Sequence, residues 1–150
     1  MALEMAGEYE LPQKREVVWK ALNDPAILEK CIPGCETLEK LSDTEFQATV
    51  KLKIGPVSAR FKGKVKLEDI DAPNGYRIVG EGEGGVAGFA KGQASVALTK
   101  EGAGCKLSYK AEAATGGKIA QLGQRLISGS AKKTADRFFE NFVEALQDYK

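Results

Sequence analysis

KIAQLGQRLISGSAKKTADRFFENFVEALQDY, residues 118–149, is the stretch whose reading decides the fold. It holds no proline, and its charges fall between regularly spaced apolar positions, so it predicts one long helix of roughly 45 Å at about 1.5 Å per residue. Thr115-Gly116-Gly117 marks its start. At about 100° per residue, Phe138, Phe142, Ala145 and Tyr149 share a face with Ala131 and Ala135, flanked by Leu146. Ile119, Leu122 and Leu126 occupy another face, about half a turn away. Ser128-Gly129-Ser130 lies between the two stripes, a pairing that often kinks a helix. The second half is therefore expected to anchor in a core, and the first half to cover something smaller, with Gly129 letting the helix give.

Working outward, the remainder reads as strands preceded by two short helices. Leu3–Leu11 alternates as a strand and stops at Pro12. Val17, Val18, Ala21 and Leu22 have helical spacing. Asp24-Pro25 opens a second helix, which Pro33-Gly34 ends. Strands follow at Thr37–Leu41, Phe46–Ile54, Val57–Glu68, Tyr76–Gly84, Phe89–Thr99 and Cys105–Ala113, joined by turns such as Gly55-Pro56 and Pro73-Asn74-Gly75. Such short connections imply an antiparallel meander, because parallel strands need long crossovers. The class is α+β, and residues 1–150 suit a single domain with its own core.

The later strands are short of bulk on their inward side. Gly80, Gly82 and Gly84 alternate in one strand, Ala90, Gly92 and Ala94 in the next, and Ala111 and Ala113 in the last. Interiors pack to crystal-like density, so something must replace that volume. Two fillers fit: the helix settles closer, or a cavity admits a ligand. On the cavity reading, Phe46, Val50, Phe61, Val96, Leu98 and Tyr109 line it from the sheet, and Ile119, Leu122 and Leu126 from the helix. Gly80, Gly82, Gly92 and Ala94 leave the space.

On the opposite face, alternation gathers Lys51, Lys53, Arg60, Lys62, Lys64 and Lys66 around the Gly55-Pro56 turn. That row either keeps the face solvated or docks on anionic lipid or an acidic partner. Overall the chain is balanced, with net charge +1 and 43% hydrophobic residues, so no global field draws it to nucleic acid. No apolar run spans a bilayer, and the acidic N-terminal residues lack the order of an export signal, so the cytoplasm is the expected compartment. Cys31, Cys35 and Cys105 are expected to be free thiols, although a bridge across Ile32-Pro33-Gly34 is geometrically open.

The chain has no histidine, which excludes Ser-His-Asp and Cys-His catalysis, and two thiolates do not complete a zinc site. No cofactor or metal is expected. The acids nearest the glycine-rich strands, Glu81, Glu83, Asp69, Asp71 and Glu112, mostly alternate outward. Tyr76 and Tyr109 could place a hydroxyl in a pocket, or serve as core tyrosines with one hydrogen bond. Binding of an apolar or amphipathic ligand is the stronger reading. The alternative is a cyclase- or dehydratase-type enzyme that uses a pocket acid or tyrosine.

The order of elements resembles the helix-grip fold of the START/Bet v 1-like superfamily. Val18–Leu28 (VWKALNDPAIL), Cys31–Glu36 (CIPGCE), Val50–Val57 (VKLKIGPV), Phe61–Val65 (FKGKV) and Gly116–Leu126 resemble more closely the family of the carbon monoxide dehydrogenase G protein. The resemblance implies a curved seven-stranded antiparallel sheet with two short helices after strand 1 and a long C-terminal helix over a cavity. It implies a non-catalytic accessory protein of a molybdenum-dependent dehydrogenase, one that binds a hydrophobic small molecule, a quinone or lipid, and helps couple the enzyme to the inner face of the cytoplasmic membrane. Larger relatives carry a C-terminal extension, and this chain stops at Lys150. The resemblance therefore leaves peripheral membrane contact to the basic row or to a partner protein.

Overall fold

A computed structural model describes residues 2–149. In chain order the elements are β1 (Ala2–Leu11), α1 (Arg15–Leu22), α2 (Pro25–Cys31), β2 (Cys35–Ser42), β3 (Glu45–Ile54), β4 (Val57–Asp71), β5 (Gly75–Glu83), β6 (Phe89–Glu101), β7 (Gly104–Gly116) and α3 (Gln124–Gln147). Single 3-10 turns at Gly85–Ala87 and Ile119–Leu122 punctuate the β5–β6 and β7–α3 connections. The strands form one antiparallel sheet in the order β1-β7-β6-β5-β4-β3-β2. Only the β1–β7 pairing departs from neighbours in sequence, so short hairpin turns suffice for the rest. The expected seven-stranded helix-grip architecture is what the chain adopts.

Local chemistry sets the junctions. Asp24 caps α2, its carboxylate accepting from the Ala26 N–H at 3.0 Å, and Pro25 takes the first helical position, where its missing donor costs nothing. Alternation along β4 sends Phe61, Val65 and Leu67 toward α3 and leaves Arg60, Lys62, Lys64 and Lys66 exposed.

The interior consists of two clusters, not one. The larger joins Val18, Ala21 and Leu22 of α1 to Phe46, Leu67, Tyr76, Leu98, Leu107 and to Phe139, Phe142 and Leu146 of α3. Phe139 stacks on Tyr9 with ring centroids 4.3 Å apart and on Tyr109 at 5.4 Å, while Phe138 meets it edge-on. The end of α3 is tied down by polar contacts: Tyr149 donates to Asp24 at 3.0 Å, and the Asn141 amide to the Cys31 carbonyl at 3.0 Å. The smaller cluster packs Phe61, Ala87 and Ile119 with Leu52, Val57, Ala59 and Leu122 at the other end of the sheet.

The C-terminal segment differs from the single long helix expected at 118–149. It breaks at Gly123, whose φ of +95° strongly favours glycine, and α3 begins only at Gln124. Of the first expected stripe, Ile119 and Leu122 belong to the separate 3-10 turn and only Leu126 to α3. Within α3 the inward stripe is continuous: Ile127, Ala131, Ala135, Phe139, Phe142 and Leu146, with Ile127 and Phe139 taking places the sequence reading gave to neighbours. Gly129 does not interrupt the helix: α3 runs through it from Gln124 to Gln147. It sits exposed inside the helix, and a Cβ there would meet nothing within 4 Å. Gly129→Ala should therefore raise stability by about 0.5–1 kcal/mol, read as a higher urea midpoint with unchanged slope. A fall would show that the glycine is needed for the helix path.

Candidate functional site

Between the two clusters the sheet is nearly bare on its helix side. Register aligns its small residues into rows: Gly63, Gly82 and Ala90 lie abreast, then Val65, Gly80, Gly92 and Ala113, then Leu67, Ile78, Ala94 and Ala111. An open hollow of about 350 Å³ lies against these rows, lined wholly from the sheet by Val65, Ile78, Gly80, Glu81, Gly82, Ala90, Lys91, Gly92, Gln93, Ala94, Glu112 and Ala113. That volume is at the lower end for small-molecule sites, and its surface is mainly apolar.

The glycines in this wall do different things. At Gly92 a Cβ would stand 2.5 Å from the Glu112 carbonyl oxygen, so the residue is required for β6 and β7 to approach. At Gly82 the nearest atom to a Cβ is 3.6 Å away, an ordinary contact. At Gly80 it is 3.4 Å from both the Lys64 oxygen and Val65 Cγ2. Gly80 and Gly82 are thus open positions that a larger side chain would fill.

Of the thirteen residues picked from the sequence, Gly80, Gly82, Gly92 and Ala94 line the hollow. Phe46 and Leu98 are buried in the larger cluster, with Val96 and Tyr109 packed against it. Phe61, Ile119 and Leu122 join the smaller cluster and are not among the residues that line the hollow. Val50 is half-buried opposite Phe61 in the sheet register. Leu126 is 39% exposed and rests on the Gly55 turn. Sequence reasoning named Ile78, Ala90 and Ala113 as inward residues without assigning them to the site. It also passed over Ala87, buried in the smaller cluster, and Gly123, where α3 is broken off; the spacing of Gly117 and Gly123 around Ile119, Ala120 and Leu122 was the available signal.

The acids near the glycine strands, Glu81, Glu83, Asp69, Asp71 and Glu112, are all exposed, and no charged side chain is buried among the described residues. Tyr76 is a core tyrosine whose hydroxyl reaches the Leu22 carbonyl at 3.5 Å, and burial drives its pKa up. Tyr109 lies one row beyond the hollow, opposite Val96. Burial, then the negative charge of Asp136, raises its pKa, so it stays a protonated donor at neutral pH. Tyr9 is held likewise, by burial first and then by Tyr109 and Asp136, and donates to Asp136 at 3.4 Å. The Cys31, Cys35 and Cys105 thiols are free, and burial pushes each up, making them poor nucleophiles. Among the described residues no cluster of His, Cys, Asp or Glu could hold a metal.

The six basic residues do share the outer face, but acids interleave with them. Lys62 lies opposite Glu83, Lys64 opposite Glu81 and Lys66 opposite Glu45, while Arg60 pairs with Glu36 at 2.8 Å. A groove of about 660 Å³ on that side is rimmed by Lys64, Lys66, Lys91, Glu45, Glu81 and Glu112. It has a mixed-charge rim on the back of the same glycine rows. No described helix is long and apolar enough to cross a membrane.

The sequence model of the carbon monoxide dehydrogenase CoxG family matches residues 7–147. No curated protein sequence matches the chain. Among solved structures, a conserved protein from Geobacillus kaustophilus is 34% identical, with 97% of this chain and 95% of that chain covered and a TM-score of 0.90. Ara h 8.0201 shares the fold at 13% identity and TM-score 0.69, covering 98% of this chain and 99% of that one. The Zhui aromatase/cyclase from Streptomyces sp. R1128 does so at 8% identity and TM-score 0.71, covering 98% and 94%. The chain belongs to the carbon monoxide dehydrogenase CoxG family and has a Bet v 1-like helix-grip fold.

The division among the glycines gives a direct check. Gly92→Ala should lose about 1–3 kcal/mol by overpacking against backbone, whereas Gly82→Ala should be neutral or stabilising by up to about 1 kcal/mol, both read from urea unfolding. Equal losses at the two positions would mean that Gly82 is also packed.

Proposed function

We propose that this family member is a binding protein that carries an apolar or amphipathic small molecule, a quinone or lipid, in the open hollow on the helix side of the sheet. The single observation that carries the reading is the set of aligned small-residue rows, against which an open hollow of about 350 Å³ lies. Its mainly apolar surface faces water, so a ligand that covers Gly80, Gly82 and Ala90 gains by removing that surface from solvent. Burial yields about 25 cal/mol per Å² of apolar surface, enough for a modest-sized ring or chain to be retained. Tyr109 lies one row away with its ring over Gly7 of β1, on the side of β7 away from the hollow. Ile119, Leu122 and Phe61 pack in the smaller cluster, and Val96, Leu98 and Phe46 belong with the larger one, outside the hollow's lining.

Family membership supports an accessory role beside a molybdenum-dependent dehydrogenase, with electrons or ligand passed to the membrane. Binding is favoured over catalysis because the acids that a cyclase- or dehydratase-type mechanism would use lie exposed on the sheet's outer side. The enzyme reading retains Tyr109 and the enzymes that share the fold.

Native mass spectrometry of freshly purified protein, followed by organic extraction, tests the proposal. The wild type should carry, or take up when supplied, one quinone or lipid per chain. Gly82→Leu, which fills the open position, should lose it while keeping its unfolding midpoint within about 1 kcal/mol. A wild type that is empty and takes up neither class, or a Gly82→Leu variant that binds as well, would overturn it.

A further inference from the structure

The sheet has two edges, β1 and β2, and they are built differently. The pairing of β2 with β3 shifts register twice, between Cys35 and Thr37 and between Lys40 and Ser42. Such irregularities, with Lys40 between them, are the usual guards of an edge against a further strand. β1 has none of them. It pairs with β7 in unbroken register, from Ala2 opposite Ala114 to Leu11 opposite Cys105. Its sequence, ALEMAGEYEL, contains no proline, lysine or arginine. Among the described residues β1 pairs only with β7, and no backbone hydrogen bond from outside the sheet reaches it. In an antiparallel pair every second residue turns its N–H and C=O away from the partner strand. The free side of β1 is therefore a regular row of backbone donors and acceptors.

Charge decides what that row accepts. Glu4, Glu8 and Glu10 alternate along the outer face of β1, all exposed. Across the register Glu4 faces a further acid, Glu112, while Lys110 stands opposite Ala6 and Lys106 is 3.9 Å from Glu8. On the helix side Asp136 accepts from Tyr9 at 3.4 Å and is met by Lys132 at 3.3 Å. Glu140, one turn further along α3, also lies near Tyr9. Acids thus exceed cations on both sides of the edge. A second copy of this chain fits such an edge badly. Two copies paired edge to edge about a two-fold axis keep their outer faces on one side, so Glu4, Glu8 and Glu10 would confront the same acids.

We infer that β1 accepts an eighth strand, an extended segment of a partner protein that carries lysine or arginine at alternate positions. Backbone pairing along the free side of β1 supplies the affinity. Cations opposite Glu4, Glu8 and Glu10 supply the choice of segment and its register. β7 separates β1 from the strands that form most of the hollow's lining, so strand addition here does not rest on the carrier reading.

Fluorescence anisotropy with a labelled Lys-Val-Lys-Val-Lys-Val-Lys peptide tests it. The wild type should bind this peptide about tenfold or more tighter than the same peptide N-methylated at alternate residues, which keeps the charge but cannot pair. A Glu-Val peptide of equal length should not bind. Glu4→Lys with Glu8→Lys should reverse the preference between the two unmethylated peptides, whereas Glu36→Gln with Glu39→Gln on β2 should change nothing. Hydrogen exchange with the Lys-Val peptide bound should slow at alternate amides of β1 and not in β2. Gly82→Leu should bind the peptide as the wild type does, which separates failure of this proposal from failure of the carrier reading. No binding, equal binding of the N-methylated peptide, slowing confined to β2, or a wild type that dimerises through β1 would each overturn it.

Discussion

Strand register is the constraint on which the rest depends. Because Gly80 pairs with Gly92, and their neighbours across the sheet are Val65 and Ala113, four strands run short of side-chain volume at the same level. A slip of one residue in any of these pairings would turn Lys91 or Glu81 toward the helix and charge the hollow's surface. The hairpin turns fix that register: β3–β4 reverses at Gly55-Pro56, with a Gly55 φ of +57°, and β6–β7 at Gly102, with a φ of +60°.

Each element then has a task relative to the bare strip. The larger cluster, with Phe142 and Leu107 wholly buried, carries most of the stability and clamps the second half of α3 through Phe139 and its tyrosine neighbours. The smaller cluster closes the other end with two 3-10 turns that meet at Phe61. Positive-φ glycines at 85, 88, 117 and 123 flank these turns, so the cap is held by a few apolar contacts, not by a continuous hydrogen-bonded helix. Local stability should therefore be lowest where a ligand would pass, the usual distribution for binding proteins.

Much of this was legible in the chain. Period-two alternation in β4 separated Phe61, Val65 and Leu67 from the lysines, and the alternate glycines of β5 and β6 announced a thin wall. The helix was harder. A 3.6-residue period can be read across a break, and Ile119 and Leu122 extend the stripe plausibly until the positive-φ Gly123 resets its phase. Ser128-Gly129-Ser130 drew attention by composition, yet the helix runs on through it. Lining residues were over-assigned for a related reason: alternation tells which face a residue occupies, but not whether it packs into a cluster, as Phe46 and Leu98 do, or borders open space. The outer lysines were read across β3 and β4 without the acids beside them, and only the register reveals Glu45, Glu81 and Glu83 opposite them.

On the carrier proposal, a ligand sits against the bare rows between two packed clusters. A crystal structure of the protein grown with a short-chain quinone tests that most directly. Ring density should lie on the helix side of Gly80, Gly82 and Gly92, between Phe61 at one end and Tyr109 at the other. Density only in the mixed-charge groove on the outer face, or a seat filled by the protein's own side chains, would contradict it.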